Sequence, residues 1–309
     1  MLKKKTKLRY RTIFLSDTHL GMRETGIKKL NHFLAHVHCK TLVLNGDFID
    51  GWALKRAGGW KKEHTRCIRL ILKMVEKRKT RVIYLRGNHD DFLCNILPFA
   101  FEKIRIEEHF IFQGIDRKYL VLHGDCFDSF STKRKWIARV GSIGYDNLMR
   151  FNRIYNRYRK LRGKKPFSLS AWAKAKVKGA VNHVHRYEES LAEMARKFKC
   201  QGMICGHIHV ASDRMIEEVH YLNSGDWVES HTCIVERMDG EMSLLTYNTF
   251  LKNLRAEQAV RNLSISITQN NRRQQLPKVS PIEAAAKVSF SCSKKLQPSG
   301  SCSFNWVIR

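Results

Sequence analysis

Acidic side chains are scarce: 28 Asp and Glu stand against 57 Lys and Arg, leaving a formal charge of +29. An imbalance of that size predicts attraction to polyanions or to anionic membranes, without saying which. No Cys-x-x-Cys pair occurs among the nine scattered cysteines, so neither a disulfide framework nor a thiolate zinc site is expected. No stretch approaches 18 apolar residues, and the basic opening MLKKKTKLRY runs into a strand pattern with no apolar region of signal-peptide length. The expectation is a cytoplasmic chain, at most peripheral to a membrane. What is present is core material: 309 residues, 43% hydrophobic, suffice for one large domain plus an insertion and exclude disordered, collagenous or small disulfide-rich classes.

Short β-branched runs alternate with helical patterns. Thr12–Leu15, Thr41–Leu44, Val82–Leu85, Tyr119–Leu122 and Met203–Cys205 read as buried strands, and each is followed at once by polar residues. Ile68, Ile71, Leu72 and Val75 take the spacing of an amphipathic helix that ends in Lys77-Arg78-Lys79. Beyond His209, the alternating segments Val219–Leu222, Cys233–Glu236 and Met242–Leu245 suggest meander strands closing a second sheet. The fold class expected is α/β, a sandwich of two mixed sheets flanked by helices.

The domain reading follows from where this rhythm breaks. Residues 1–128 and 200–254 form two parts of one core, and 129–199 contain no convincing strand. That middle segment carries 19 Lys and Arg against 4 Asp and Glu, so it reads as a basic helical insertion or cap. One apolar stripe runs through Trp136, Val140, Ile143, Leu148, Phe151, Tyr155 and Tyr158, and a second through Val177, Val181, Val184, Leu191, Ala195 and Phe198. Residues 255–309, with a Gln/Asn/Arg run and a Ser-rich end, read as a mostly disordered basic tail.

The chemistry stands where the strands stop. Ser16-Asp17-Thr18-His19, Asn45-Gly46-Asp47, Gly87-Asn88-His89-Asp90, His123-Gly124-Asp125 and Gly206-His207-Ile208-His209 follow the five strands in turn. Ligand sites of α/β sheets form outside the carboxyl ends of strands, so the five clusters can converge on one crevice. Each alone has a bland reading as a turn or helix start. Together they offer carboxylate, imidazole and amide oxygen, a set that suits Mn²⁺, Fe²⁺, Zn²⁺ or Mg²⁺ and contains enough ligands for two ions.

This motif series resembles the calcineurin-like metallophosphoesterases, whose pattern is D-x-H, G-D, G-N-H-D/E, H and G-H-x-H. The resemblance implies that Asp17, His19 and His209 hold one metal, Asn88, His123 and His207 the second, and that Asp47 bridges them. It further implies that a hydroxide bridging the metals is the nucleophile, that His89 stabilises the transition state or protonates the leaving group, and that Asp90 orients His89. The wording around the motifs, with Asn223-Ser224-Gly225-Asp226-Trp227, is similar to the UDP-2,3-diacylglucosamine pyrophosphatase branch. That likeness implies hydrolysis of a lipid A precursor to UMP and 2,3-diacylglucosamine 1-phosphate, usually with Mn²⁺, at the cytoplasmic face of a Gram-negative inner membrane. The best-known members of the branch carry Arg where this chain has His89, which marks a divergent subgroup.

Trp136, Phe151, Arg150, Arg153 and Arg157 of the insertion are the candidate substrate contacts: aromatics for acyl chains, guanidinium groups for diphosphate or anionic headgroups. The competing reading of the apolar stripes is helix packing on the core. Two other function classes compete with the lipid-nucleotide pyrophosphatase. One is a nuclease or other phosphodiesterase on the same metal core, with nucleic acid as partner, and the other is a non-catalytic scaffold. No recognised nucleic-acid module supports the first, and none of the seven expected metal ligands is missing for the second.

Overall fold

The computed structural model describes residues 6–22, 25–56, 59–127, 157–159, 161–163 and 184–275. Twelve strands are found among them: β1 (Leu8–Leu15), β2 (Val37–Asn45), β3 (Arg81–Leu85), β4 (Phe99–Phe101), β5 (Ile104–Glu107), β6 (His109–Gln113), β7 (Lys118–Leu122), β8 (Gly202–Cys205), β9 (Ser212–Ile216), β10 (Val219–Asn223), β11 (Thr232–Glu236) and β12 (Met242–Thr246). They form a seven-stranded sheet in the order β12-β11-β1-β2-β3-β5-β4 and a five-stranded sheet in the order β6-β7-β8-β10-β9. The pairs β1–β2, β2–β3, β3–β5, β7–β8 and β8–β10 are parallel, and the remaining neighbours are antiparallel.

Phe14, Val43, Ile83 and Leu85 of the larger sheet meet Tyr119, Val121, Ile204 and Leu222 of the smaller in one buried cluster, which makes the sandwich. Helices α1 (Ile27–His36) and α3 (Lys62–Arg78) cover the outer face of the larger sheet, placing Leu30, Phe33, Cys67, Ile71 and Met74 against Ile13, Leu15, Leu42 and Leu44. α3 closes on Lys77 and Arg78, which complement the helix dipole, and on Lys79 in a left-handed turn. The short helix α2 (Gly51–Arg56) follows the second strand. A helix at 184–197, α4, covers the smaller sheet, burying Tyr187, Leu191, Ala192 and Ala195 against Leu120, Leu122, Met203 and Cys205. The sandwich expected from the sequence is therefore observed, with the central parallel strands buried on both faces.

Three expectations need correction. First, Val184, Leu191 and Ala195 were placed in the insertion, yet α4 is the outer layer of the core itself, since its apolar stripe is what the smaller sheet needs covered. Second, of the three meander segments only 219–223 joins the smaller sheet. β11 and β12 pair with each other and with β1 in the larger one, where β11 is buried along its whole length. Third, the tail is not disordered from residue 255, because helix α5 runs Tyr247–Gln275. No Gly or Pro lies between Gly240 and Pro277, so nothing in the backbone stops the helix. Residues 1–258 and 259–309 form two units; in the first, Phe250 and Leu254 of α5 are core residues. Residues 129–156, 160, 164–183 and 276–309 lie outside the described residues. Among the described residues no helix is long and apolar enough to cross a membrane.

Candidate metal centre

The five polar clusters do converge. β1, β2, β3, β7 and β8 deliver their carboxyl ends to one edge of the sandwich, and hydrogen bonds between the loops lock them together. The N–H groups of Asp17 and His19 donate to the carbonyls of Gly46 (3.2 Å) and Asp47 (3.0 Å), Gly206 N–H to His123 O (3.0 Å), and Trp227 N–H to Asp17 O (3.1 Å). Asp17, His19, Asp47, His207 and His209 all take left-handed backbone angles, with φ between 46° and 69°. That conformation is uncommon for residues with a Cβ and is tolerated where surrounding structure over-determines it. Gly46, at φ +79°, passes so close to the His123 ring that any Cβ would overlap it.

Three clusters of potential ligand atoms result, two of them at expected ligands and the third, His19, Asp50 and His89, sharing His19 with the first. Asp17, His19 and His209 present theirs within 4.8 Å of one another, and so do Asp47, His123 and His207. His209 Nε2 lies 3.1 Å from Asp17 Oδ1 and 3.4 Å from His19 Nε2, while His123 Nε2 lies 3.4 Å from Asp47 Oδ2. Asp47 Oδ2 is also 3.9 Å from His19 Nε2, so this one carboxylate faces both clusters.

The chemistry of these atoms fits cations. Asn88 Oδ1 is buried without a hydrogen-bond partner, and Asp17 Oδ1 and His123 Nε2, also buried, are faced by other ligand atoms, His209 Nε2 at 3.1 Å and Asp47 Oδ2 at 3.4 Å, a costly arrangement unless another group satisfies them. His123 Nδ1 donates to Asn45 O (2.9 Å), which turns Nε2 toward the cluster. Burial works against ionising Asp17, but the neighbouring His209, His123 and His19 hold it well below the usual carboxylate range. Asp47 is likewise lowered against its burial, chiefly by His123. Burial alone would depress the His123 imidazole, yet Asp47, Asp17 and Asp125 lift it to about 10. The pocket is thus a strongly negative field that draws positive charge. With six side chains offering O or N ligands in the two clusters, and Asn88 beside them in sequence with His89, the residues fit two divalent ions.

His89 stands at the same place but is held differently from the expectation. Its Nδ1 is 3.0 Å from Asp50 Oδ2, and its Nε2 points inward, 3.9 Å from Asp47 Oδ2. The same Asp50 oxygen is hydrogen-bonded to His19 Nδ1 at 3.1 Å, and Asp50 Oδ1 accepts from Ala53 N–H at 2.6 Å. Burial would raise Asp50, but His19, His89 and the Ala53 amide bring it below the usual range. Trp52 lies against the His89 ring, with centroids 4.4 Å apart.

Asp90 is not the residue that orients His89. Its carboxylate accepts from Tyr84 Oη (2.7 Å), Phe48 N–H (3.0 Å) and Gly87 N–H, which ties the third-strand loop to the second. Burial, then the charge of Asp47, pushes Asp90 up. The sequence did hold a signal for Asp50: a carboxylate three residues after Asp47, where the first turn of α2 carries it back to the site. Of the candidate substrate contacts, Trp136, Arg150, Phe151 and Arg153 lie outside the described residues, and Arg157 is helical and exposed.

A two-sheet sandwich with this ring of carboxylates, imidazoles and one amide at its strand ends is that of a metal-dependent phosphoester hydrolase. A family model described as calcineurin-like phosphoesterase matches residues 10–211, and the chain belongs to that family. UDP-2,3-diacylglucosamine hydrolases of Yersinia pseudotuberculosis serotype O:1b and of Yersinia pestis are each 26% identical to it over 118 residues, 37% of this chain and 48% of theirs. The chain spans about half the length of the curated relatives it matches. Among solved structures, an archaeal phosphodiesterase is 15% identical, covering 76% of this chain and 98% of its own, at a TM-score of 0.36. Yfce, a phosphoesterase from E. coli, is 12% identical with the same coverage and a TM-score of 0.36.

Proposed function

We propose that the protein hydrolyses the pyrophosphate bond of UDP-2,3-diacylglucosamine, giving UMP and 2,3-diacylglucosamine 1-phosphate, and does so with Mn²⁺ at an anionic membrane surface. The observation that carries the reaction type is the set of buried carboxylate and imidazole ligand atoms that converge at one sheet edge. The substrate reading is supported by the curated relatives and by the wording of the motifs, and the charge of +29 supports approach to an anionic bilayer.

When bound, two divalent ions supply Lewis acidity toward the phosphoryl oxygens and an activated water. The chain's own groups do the rest. Asp17, His19 and His209 on one side, and Asn88, His123 and His207 on the other, are the holding residues, with Asp47 between them. In-line attack by water forms a bond to the uridylyl phosphorus as the bond to the bridging oxygen breaks, and that oxygen leaves with the sugar 1-phosphate. His89 is the residue placed to meet developing charge or to give a proton to that oxygen. Its Nε2 faces the cluster while Asp50 holds its Nδ1. Asp50 does the same for His19, so one carboxylate fixes which ring nitrogen of each imidazole faces inward.

The test is release of UMP from UDP-2,3-diacylglucosamine in mixed micelles by Mn²⁺-loaded protein, with bis-p-nitrophenyl phosphate as a generic diester. UMP release at enzyme-like rates is the expected result. Cleavage of the diester alone overturns the lipid assignment and moves the search to other diesters and to nucleic acids.

A further inference from the structure

The loops that carry His123 and His207 both rest on a side chain from outside them. Tyr187 of α4 is 2% exposed, and its ring packs among Leu120, Leu191, Met203 and Tyr221. Its hydroxyl passes beneath the metal centre. There it donates to Gly206 O at 3.4 Å and abuts Gly124, where any Cβ would overlap the phenol oxygen. Gly124 follows His123 and Gly206 precedes His207, so one hydroxyl touches the chain neighbour of each imidazole. The Gly206 N–H to His123 O bond closes this bracket from the other side. The His123 and His207 rings are 5.1 Å apart, and the Tyr187 ring centroid is 6.3 Å from His207. Burial pushes the Tyr187 ionisation well above its usual range, so the group remains a neutral donor.

Packing alone does not call for this hydroxyl. A phenylalanine would fill the same apolar cluster without the desolvation cost of a buried O–H, which phenols offset by finding a partner. At 3.4 Å the bond is long, so the contribution lies in spacing two loops rather than in bond strength. Gly124, at φ +111°, supplies the matching gap.

We propose that Tyr187 is a positioning residue for the second metal subsite: by bracing the His123 and His207 loops it sets the affinity of the Asp47, Asn88, His123 and His207 group for its ion. The proposal rests on the two-ion reading of the site and not on the identity of the substrate. Because Tyr187 is carried by α4, a shift of this helix would register in the affinity for the second ion. By linkage, the second ion would order α4 to the same degree.

The experiment is a calorimetric Mn²⁺ titration of the metal-depleted full-length chain, together with hydrogen exchange across 187–197. Tyr187→Phe should bind the first ion as the parent does and the second about 10- to 100-fold more weakly, the range usual for groups that hold a ligand in place. Tyr119→Phe is the control for losing a buried phenol elsewhere, since that hydroxyl meets His220 at 3.0 Å at the far end of β7, and it should change neither affinity. In the parent, the second equivalent of Mn²⁺ should slow exchange in α4. Parent-like binding of both ions by Tyr187→Phe, equal weakening of both, or unchanged exchange in α4 would each overturn the proposal. Asp47→Ala in the same titration keeps the two readings apart: if it still binds two ions, the two-ion site itself is wrong.

Discussion

At the scale of single residues, the metal centre is expensive to build. Five expected ligand residues sit in left-handed backbone geometry, each at a cost of about 1–3 kcal/mol, and Asn88 beside them presents a buried oxygen without a hydrogen-bond partner. A fold keeps such features where function requires them. Asp47→Ala should therefore abolish turnover and reduce bound metal while the circular dichroism stays native; retained turnover would remove Asp47 from the site. The two neighbouring carboxylates should separate cleanly. Asp50→Asn, which disturbs the hold on His19 and His89, should slow the chemical step by about 10- to 100-fold with little change in melting temperature. Asp90→Asn breaks acceptor contacts to Tyr84, Gly87 and Phe48, and should cost about 1–3 kcal/mol in a urea titration. If Asp90→Asn slowed catalysis at unchanged stability, Asp90 would regain the orienting role.

At the scale of elements, the same helix serves two purposes along its length. The first turns of α5 bury Phe250 and Leu254 against α1 and the larger sheet, whereas Val260, Leu263 and Ile267 are more than half exposed. Phe250→Ala should cost about 3–5 kcal/mol, and Leu263→Ala should fall within about 0.5 kcal/mol of the parent. Equal losses at both positions would mean that the outer half of the helix is packed in solution. Leu191 in α4 tests the smaller sheet in the same way: it is fully buried, and Leu191→Ala should cost about 2–5 kcal/mol.

At the scale of the molecule, metal and stability are linked. Ions that bind the folded centre and not the unfolded chain raise the melting temperature by mass action, so Mn²⁺ should shift the parent upward in a concentration-dependent way and chelator should reverse the shift. Asp47→Ala should lose most of that shift. The excess of basic residues belongs to the same scale. If it draws the chain to membranes, binding to phosphatidylglycerol vesicles should fall steeply between low and physiological salt, and salt-independent binding would assign the attachment to apolar contacts instead.

Much of this was legible in the sequence, because the information was local. The five clusters sit directly after their strands, and strand ends in a parallel sheet share one edge, so their convergence could be read from the chain, while the resemblance to the metallophosphoesterases singled out Asp17, His19, Asp47, Asn88, His123, His207 and His209 within them. Helix α3 was equally plain from its apolar spacing. What escaped was non-local or depended on which face a residue meets. β4, β5 and β6 are only three to five residues long, so each carries too few positions for a strand period to be read. β11 and β12 looked like strands, but their partner is β1, more than two hundred residues away, and no pattern within them chooses one sheet over the other. Asp50 and Asp90 stand at similar short spacings from the ligands, and only the direction of α2 decides that Asp50 meets His89. Nothing local to Tyr187 marks it in the sequence; only α4 brings its hydroxyl to Gly124 and Gly206. Sequence alone determined the ligand chemistry, because it resides in residue types at strand ends; the tertiary structure decided which groups orient those ligands, because that depends on contacts between distant segments.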